Sequence, residues 1–164
     1  MRLVFVCTGA INRSPASAVI AAQILGLETT AAAARPGQRG RPMTRRMVAA
    51  LAAAGYAVPD PVPRSRHVSD GVWTRGEDRF LYAQPSHALA LAEHLGDWGS
   101  DGPLPLASFS APPLVKIPDP HFDRSRSACP DAVRLIEQCV LGLALSGALK
   151  DPGVWARMVK GLSR

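Results

Sequence analysis

The chain has 164 residues, enough for one domain with a substantial core and too few for two comfortable ones. Nearly half of the residues (47%) are apolar, the charge is mixed, and no apolar run is long enough to span a bilayer, so a membrane-spanning or intrinsically disordered chain is excluded. The net charge of +6 comes from dispersed arginines, with no basic helix face interleaved with aromatics, so neither nucleic acid nor a membrane surface is an expected partner.

Taken in order, Leu3-Val4-Phe5-Val6 reads as a short buried strand that ends at Cys7. A loop of small residues follows. Ser14 then reads as a helix N-cap and Pro15 as the first helical residue, with Ala18, Ala21, Ala22 and Leu25 on one apolar face. Gly26 ends this pattern, and Glu28 to Ala34 reads as a second strand, weakened by its alanines. Residues 35–42 form a Pro/Gly/Arg loop. Thr44 caps a helix that turns Met47, Val48 and Leu51 inward and stops at Gly55. The proline- and arginine-rich stretch 56–77 carries no periodic signal. Arg79 to Ala83 is the next strand. Pro85-Ser86 opens a helix with Ala88, Leu91, Ala92 and Leu95 on one side, and a Gly/Asp/Pro loop runs on to Pro105. Leu114 to Ile117 reads as a last short apolar strand. A strong helix follows Pro130-Asp131, burying Ala132, Leu135, Ile136, Cys139 and Leu143. Residues 151–164 form a tail around Trp155, expected as a final helical turn or a partly disordered segment outside a domain of residues 1–150. Strands alternating with helices predict an α/β fold: a single three-layer domain with a short, about four-stranded parallel sheet and helices on both faces.

The first strand–loop–helix unit carries the chemistry. Ligands of parallel sheets sit at the carboxyl ends of the strands, which is where Cys7 stands. Loop amides and a helix N-terminus converge there on an anion, and successive N–H groups form a nest for phosphate oxygens. Arg13 grips two such oxygens through its planar fork. The same positive field favours the nucleophilic thiolate of Cys7, and the Ser14 hydroxyl is placed to donate to it. The bland alternative is a core cysteine at a strand end beside an ordinary first-turn arginine.

The run Cys7-x5-Arg13-Ser14-Pro15, directly after the first strand and with Gly9 inside it, resembles the phosphate loop of the low-molecular-weight protein tyrosine phosphatases. That resemblance implies a phosphate-binding loop made of Thr8, Gly9, Ala10, Ile11, Asn12, Arg13 and Ser14 around Cys7. It also implies a general acid. Two Pro-Asp-Pro triplets compete for that role, at Asp60 and at Asp119. Chain position favours Asp119, whose context Ile117-Pro118-Asp119-Pro120-His121-Phe122 resembles the family's acid loop. His121 and Phe122 then wall the cleft, although His121 also reads as a plain surface histidine. The 35–42 loop, which borders the mouth in the family, reads here either as a mouth element or as a loose basic loop. Ser65-Arg66 resembles a short family element. The implied reaction is hydrolysis of phosphotyrosine, or another aryl phosphate, through a phosphocysteine. Cys7, Arg13 and Asp119 are catalytic, and no metal or cofactor is needed. The implied partners are a phosphorylated protein or a small aryl phosphate, and no oligomeric state follows from the sequence.

Several residues depart from the family pattern. Ala10 stands where the family has asparagine, so the loop is expected to be less well braced, and a weak or inactive phosphate-binding relative is the alternative reading. Asn12 replaces a frequent second cysteine, which excludes a disulfide within the loop. The cysteine relay of the related arsenate reductases has no counterpart in residues 70–100. Ile11 stands where arginine phosphatases have a small threonine, and its bulk favours a flat aryl phosphate. Three cysteines without metal or disulfide spacing, and no leader-like start, lead to an expectation of a reducing cytoplasmic location.

Overall fold

A computed structural model describes residues 1–162; the last two residues of the expected C-terminal tail lie outside it. Strand β1 (Arg2–Cys7) alternates its side chains across the sheet, as a pleated strand must. Leu3, Phe5 and Cys7 join one apolar cluster, while Val4 and Val6 join another on the opposite face. β2 (Glu28–Ala33), β3 (Asp78–Tyr82) and β4 (Leu104–Pro105) complete a four-stranded parallel sheet in the order β2-β1-β3-β4. Residues from α1 (Arg13–Leu25), α2 (Arg45–Ala53) and α4 (Ala128–Leu145) build the larger cluster on the first face. Leu91 of α3 (Pro85–Leu95) packs into the second cluster, with Phe80 and Trp98. The expected three-layer α/β domain is therefore the observed one, with α1 and β2 on one side of β1 and β3 on the other. The chain reverses direction at β1, and a crevice opens at its carboxyl end.

Four local expectations change. Leu114 to Ile117 is not a strand: Leu114 and Val115 face solvent and only Ile117 is buried. The fourth strand is instead Leu104–Pro105, too short to carry a periodic pattern. Helix α1 begins at Arg13, and the N-cap position belongs to Asn12 rather than Ser14. On α3 the inward residues are His87 and Leu91, while Ala92 is exposed. The segment expected as a loose tail forms α5 (Pro152–Leu162), anchored by a fully buried Trp155 whose indole N–H donates to the Gly102 carbonyl at 3.0 Å. Thr44 caps α2 as expected, accepting from the Met47 N–H. No helix among the described residues is long and apolar enough to cross a membrane.

Candidate active site

The loop from Cys7 to Asn12 turns its carbonyls outward. Those of Cys7, Thr8, Ile11 and Asn12 accept from the N–H groups of Ala34, Arg35, Thr44 and Ala16, and that of Gly9 accepts from the Ser65 hydroxyl at 2.7 Å. In a trans peptide the following N–H points the opposite way. Among the described residues no acceptor meets the N–H groups of Gly9, Ala10, Ile11, Asn12 and Arg13. This crowd of unpaired donors at a helix N-terminus is an anion nest. The turn requires a left-handed residue at Ala10, whose φ is 49°. Gly9 lets the Gln38 side chain close over the loop: a Cβ there would lie 2.7 Å from Gln38 Cγ.

Cys7 is buried at the floor, and its Sγ lies 3.1 Å from Ser14 Oγ. Ser14 does not cap the helix, and its hydroxyl also lies 3.4 Å from the Ala32 carbonyl. Arg13 is 1% exposed, and its guanidinium is held on both sides. Nη1 donates to Gln84 Oε1 at 2.7 Å and to the Ile117 carbonyl at 3.1 Å. Nη2 donates to Thr8 Oγ1 at 3.1 Å and to Asp119 Oδ2 at 2.5 Å. Its Nε is a buried donor without an acceptor. Asp119 thus sits across the cradle from Cys7, its other oxygen accepting from the His121 N–H at 3.1 Å. Asp60, the competing carboxylate, is exposed and absent from the cavity wall.

The cavity over the cradle measures about 130 Å³ and is lined by Cys7, Thr8, Gly9, Ile11, Asn12, Gln38, Asp119, His121 and Phe122. His121 and Phe122 meet edge to face at its rim with centroids 5.0 Å apart, both exposed to solvent. His121 is therefore at once a surface histidine and part of the mouth. A larger groove of about 380 Å³ lies behind the loop, between α1, β2 and the segment near Pro59 and Pro63, and holds neither the cysteine nor the carboxylate. Among the described residues no three His, Cys, Asp or Glu side chains converge as a metal site.

The sequence reading missed two groups. Gln84 holds Arg13, and His87 Nε2 lies 3.0 Å from Thr8 Oγ1. His87 is pushed down to about 4, first by burial and then by the Arg13 charge, so its ring is neutral at neutral pH. Thr8 accepts from Arg13, which leaves its own hydroxyl proton for His87 Nε2. Both residues lie just past the carboxyl end of β3, beside Cys7 at the end of β1. That adjacency of parallel strand ends was the signal available in the sequence.

No family model and no curated protein matches the sequence at a significant level. Solved structures do match. A protein tyrosine phosphatase from Entamoeba histolytica superposes with a TM-score of 0.77 at 20% identity, covering 89% of this chain and 96% of that one. Vibrio vulnificus Wzb, determined in complex with benzylphosphonate, matches at a TM-score of 0.72 and 20% identity, over 88% of this chain and 97% of its own. The YwlE arginine phosphatase from Geobacillus stearothermophilus matches at 0.73 and 22% identity, over 91% and 94% of the two chains.

This is the low-molecular-weight protein tyrosine phosphatase fold. Within that fold the matches span nearly the full length of these phosphatases, so the chain lacks none of their layers. The cradle and Arg13 follow the carboxyl end of the first strand, and Asp119 reaches Arg13 from the segment after Ile117.

Proposed function

We propose that this protein is a cysteine-dependent phosphatase that hydrolyses phosphotyrosine or another aryl phosphate monoester through a phosphocysteine. The observation that carries this reading is the convergence of two segments remote in sequence. The phosphate loop brings a nest of unpaired amides and the buried Arg13 next to Cys7, and the Asp119 carboxyl group bonds Arg13 and lines the same cavity as Cys7. The neighbours' names support a phosphatase, and benzylphosphonate on Vibrio vulnificus Wzb is an aromatic ligand bearing a phosphate-like anion.

The proposed mechanism uses this geometry. The phosphate oxygens take the loop amides and the Arg13 fork, replacing the Asp119 carboxylate on Nη2 and satisfying the orphaned Nε. The Cys7 thiolate attacks phosphorus in line, and the S–P bond forms as the bond to the aryl oxygen breaks. Asp119, released from Arg13 and protonated, gives its proton to the leaving oxygen. The resulting carboxylate then takes a proton from water, whose oxygen attacks phosphorus and expels the Cys7 thiolate. Ser14 donates to that sulfur as it leaves. Arg13 and the amides stabilise the equatorial oxygens in both steps. Ile11 on the cavity wall narrows it toward a flat aryl group and away from phosphoarginine.

The test is hydrolysis of a small aryl phosphate from pH 5 to 8 in the presence of a chelator. Wild type turns over. Cys7→Ser is inactive, and Asp119→Asn falls by roughly 10²–10⁴ in kcat, the range of a general acid. Wild-type activity no greater than that of Cys7→Ser overturns the proposal in favour of a phosphate-binding relative.

A further inference from the structure

We propose that the mouth selects phosphorylated peptides that carry carboxylates beside the phospho-residue; this rests on the phosphatase reading for its substrate class. The amide of Arg35 donates to the Thr8 carbonyl, and the charge of Arg35 is felt at the neighbouring His87. Arg41 rests on Gln38 Oε1 at 3.0 Å, and Gln38 lines the cavity. Arg46 reaches the carbonyls of Asp123 and Ser125, just past the rim residue Phe122. Arg124 and Arg126, on that same segment, are exposed and enter no ion pair among the described residues. Against these cations stand Asp119, already on Arg13, the exposed Asp123, held low by its bonds to Ser125, and Asp131, already paired with Arg134.

Some arginines of this chain are neutralised internally. Arg39, in the same loop, is bound by both oxygens of Asp70, and Arg2 by both oxygens of Asp78. Arg35 and Arg41 enter no ion pair among the described residues, and Arg46 is held by main-chain carbonyls with its charge acting on the Asp123 carboxylate. A phosphate monoester occupies the cradle itself, so these side chains are left for groups flanking it on the substrate. Exposed ion pairs are worth roughly two- to five-fold each, so two or three together give about ten-fold.

The experiment measures binding and turnover separately. Fluorescence anisotropy with Cys7→Ser reports Kd for three matched phosphotyrosine peptides flanked by Glu, Gln or Lys. The Glu peptide is expected to bind about ten-fold tighter than the Gln peptide, with the Lys peptide weakest. The spread collapses as salt rises from about 20 mM to about 500 mM, because the Debye length shortens several-fold. Adding Arg35→Ser and Arg41→Ser shrinks the Glu-to-Gln ratio several-fold, whereas Arg157→Ser on α5 leaves it intact. Equal Kd values for the three peptides, or a ratio indifferent to Arg35 and Arg41, overturn the inference even if wild type hydrolyses small aryl phosphates. Acid-selective binding without hydrolysis by wild type upholds the mouth and overturns the enzyme.

Discussion

At φ 49° the Cβ of Ala10 crowds its own carbonyl, which costs an L-residue about 1–2 kcal/mol. It is the only non-glycine residue with positive φ among those described, and it sits where the loop amides must be aimed. Asparagine tolerates this conformation better, and its amide can brace a tight turn. Space is available, because Ala10 lines the 380 Å³ groove behind the loop. Ala10→Asn is therefore expected to raise the unfolding free energy by about 1 kcal/mol. It should also raise kcat about ten-fold, the effect of some 1.4 kcal/mol of transition-state preorganisation. Urea denaturation and steady-state kinetics on the two proteins check both numbers. A variant no faster and no more stable than wild type shows that Ala10 is not the weak point of the loop. The strain was legible from the sequence, since the position of Ala10 in the resembling motif fixes its backbone. Gln84 and His87 were missed, because a polar residue in the first turn after a strand ordinarily meets solvent. Only the fold shows that these two meet Arg13 and Thr8 instead.

The elements divide by how much pattern each carries. β1 was readable as a contiguous apolar run, and α1, α2 and α4 because apolar residues recur at helical spacing along each. β4 has two residues and owes its place to pairing with β3, a long-range fact that no local pattern records. The apolar run Leu114 to Ile117 imitated a strand, yet only Ile117 enters the core, where its amide bonds to the Ala83 carbonyl. Its own carbonyl then faces Arg13, so the false strand proves to be the arm that delivers Asp119 to the site. Helix α5 was undervalued because one tryptophan carries its docking. Trp155 is fully buried in the larger cluster, donates to Gly102, and lies 5.6 Å below the Arg79 guanidinium. Trp155→Ala removes that side chain and leaves the Gly102 carbonyl unpaired. Such a cavity costs about 3–5 kcal/mol. Thermal melts should show a large loss of stability, while kcat at a temperature where the variant stays folded remains near wild type, since α5 touches no group of the cradle. Unchanged stability means that α5 is not part of the cooperative fold.

Across the whole molecule, the site's charge arrangement sets how stability responds to acid. His87, in the first turn of α3, is buried against Thr8 of the phosphate loop, with Arg13 and Arg35 disfavouring its protonation and Asp119 and the Val6 main chain favouring it. Burial and the two arginines win, and the folded ring titrates at about 4 against 6.5 in an unfolded chain. Between those values the unfolded state takes up a proton that the folded state refuses. Stability is thus fully present above about pH 6.5 and is lost as pH falls toward 4, by up to about 1.4 kcal/mol per pH unit. Integrated over the window, the loss is on the order of 3 kcal/mol, a large share of a small domain's stability. Neither Cys139, pushed up to about 11 by burial, nor Cys129, also raised, titrates in this range. Carboxylates do titrate there, so the informative quantity is the difference between two proteins. His87→Gln keeps an amide acceptor for the Thr8 hydroxyl and removes the titration. Urea denaturation at half-unit steps from pH 7 to 4.5 should show wild type losing about 2 kcal/mol more than the variant. Parallel curves mean that His87 is protonated as readily folded as unfolded.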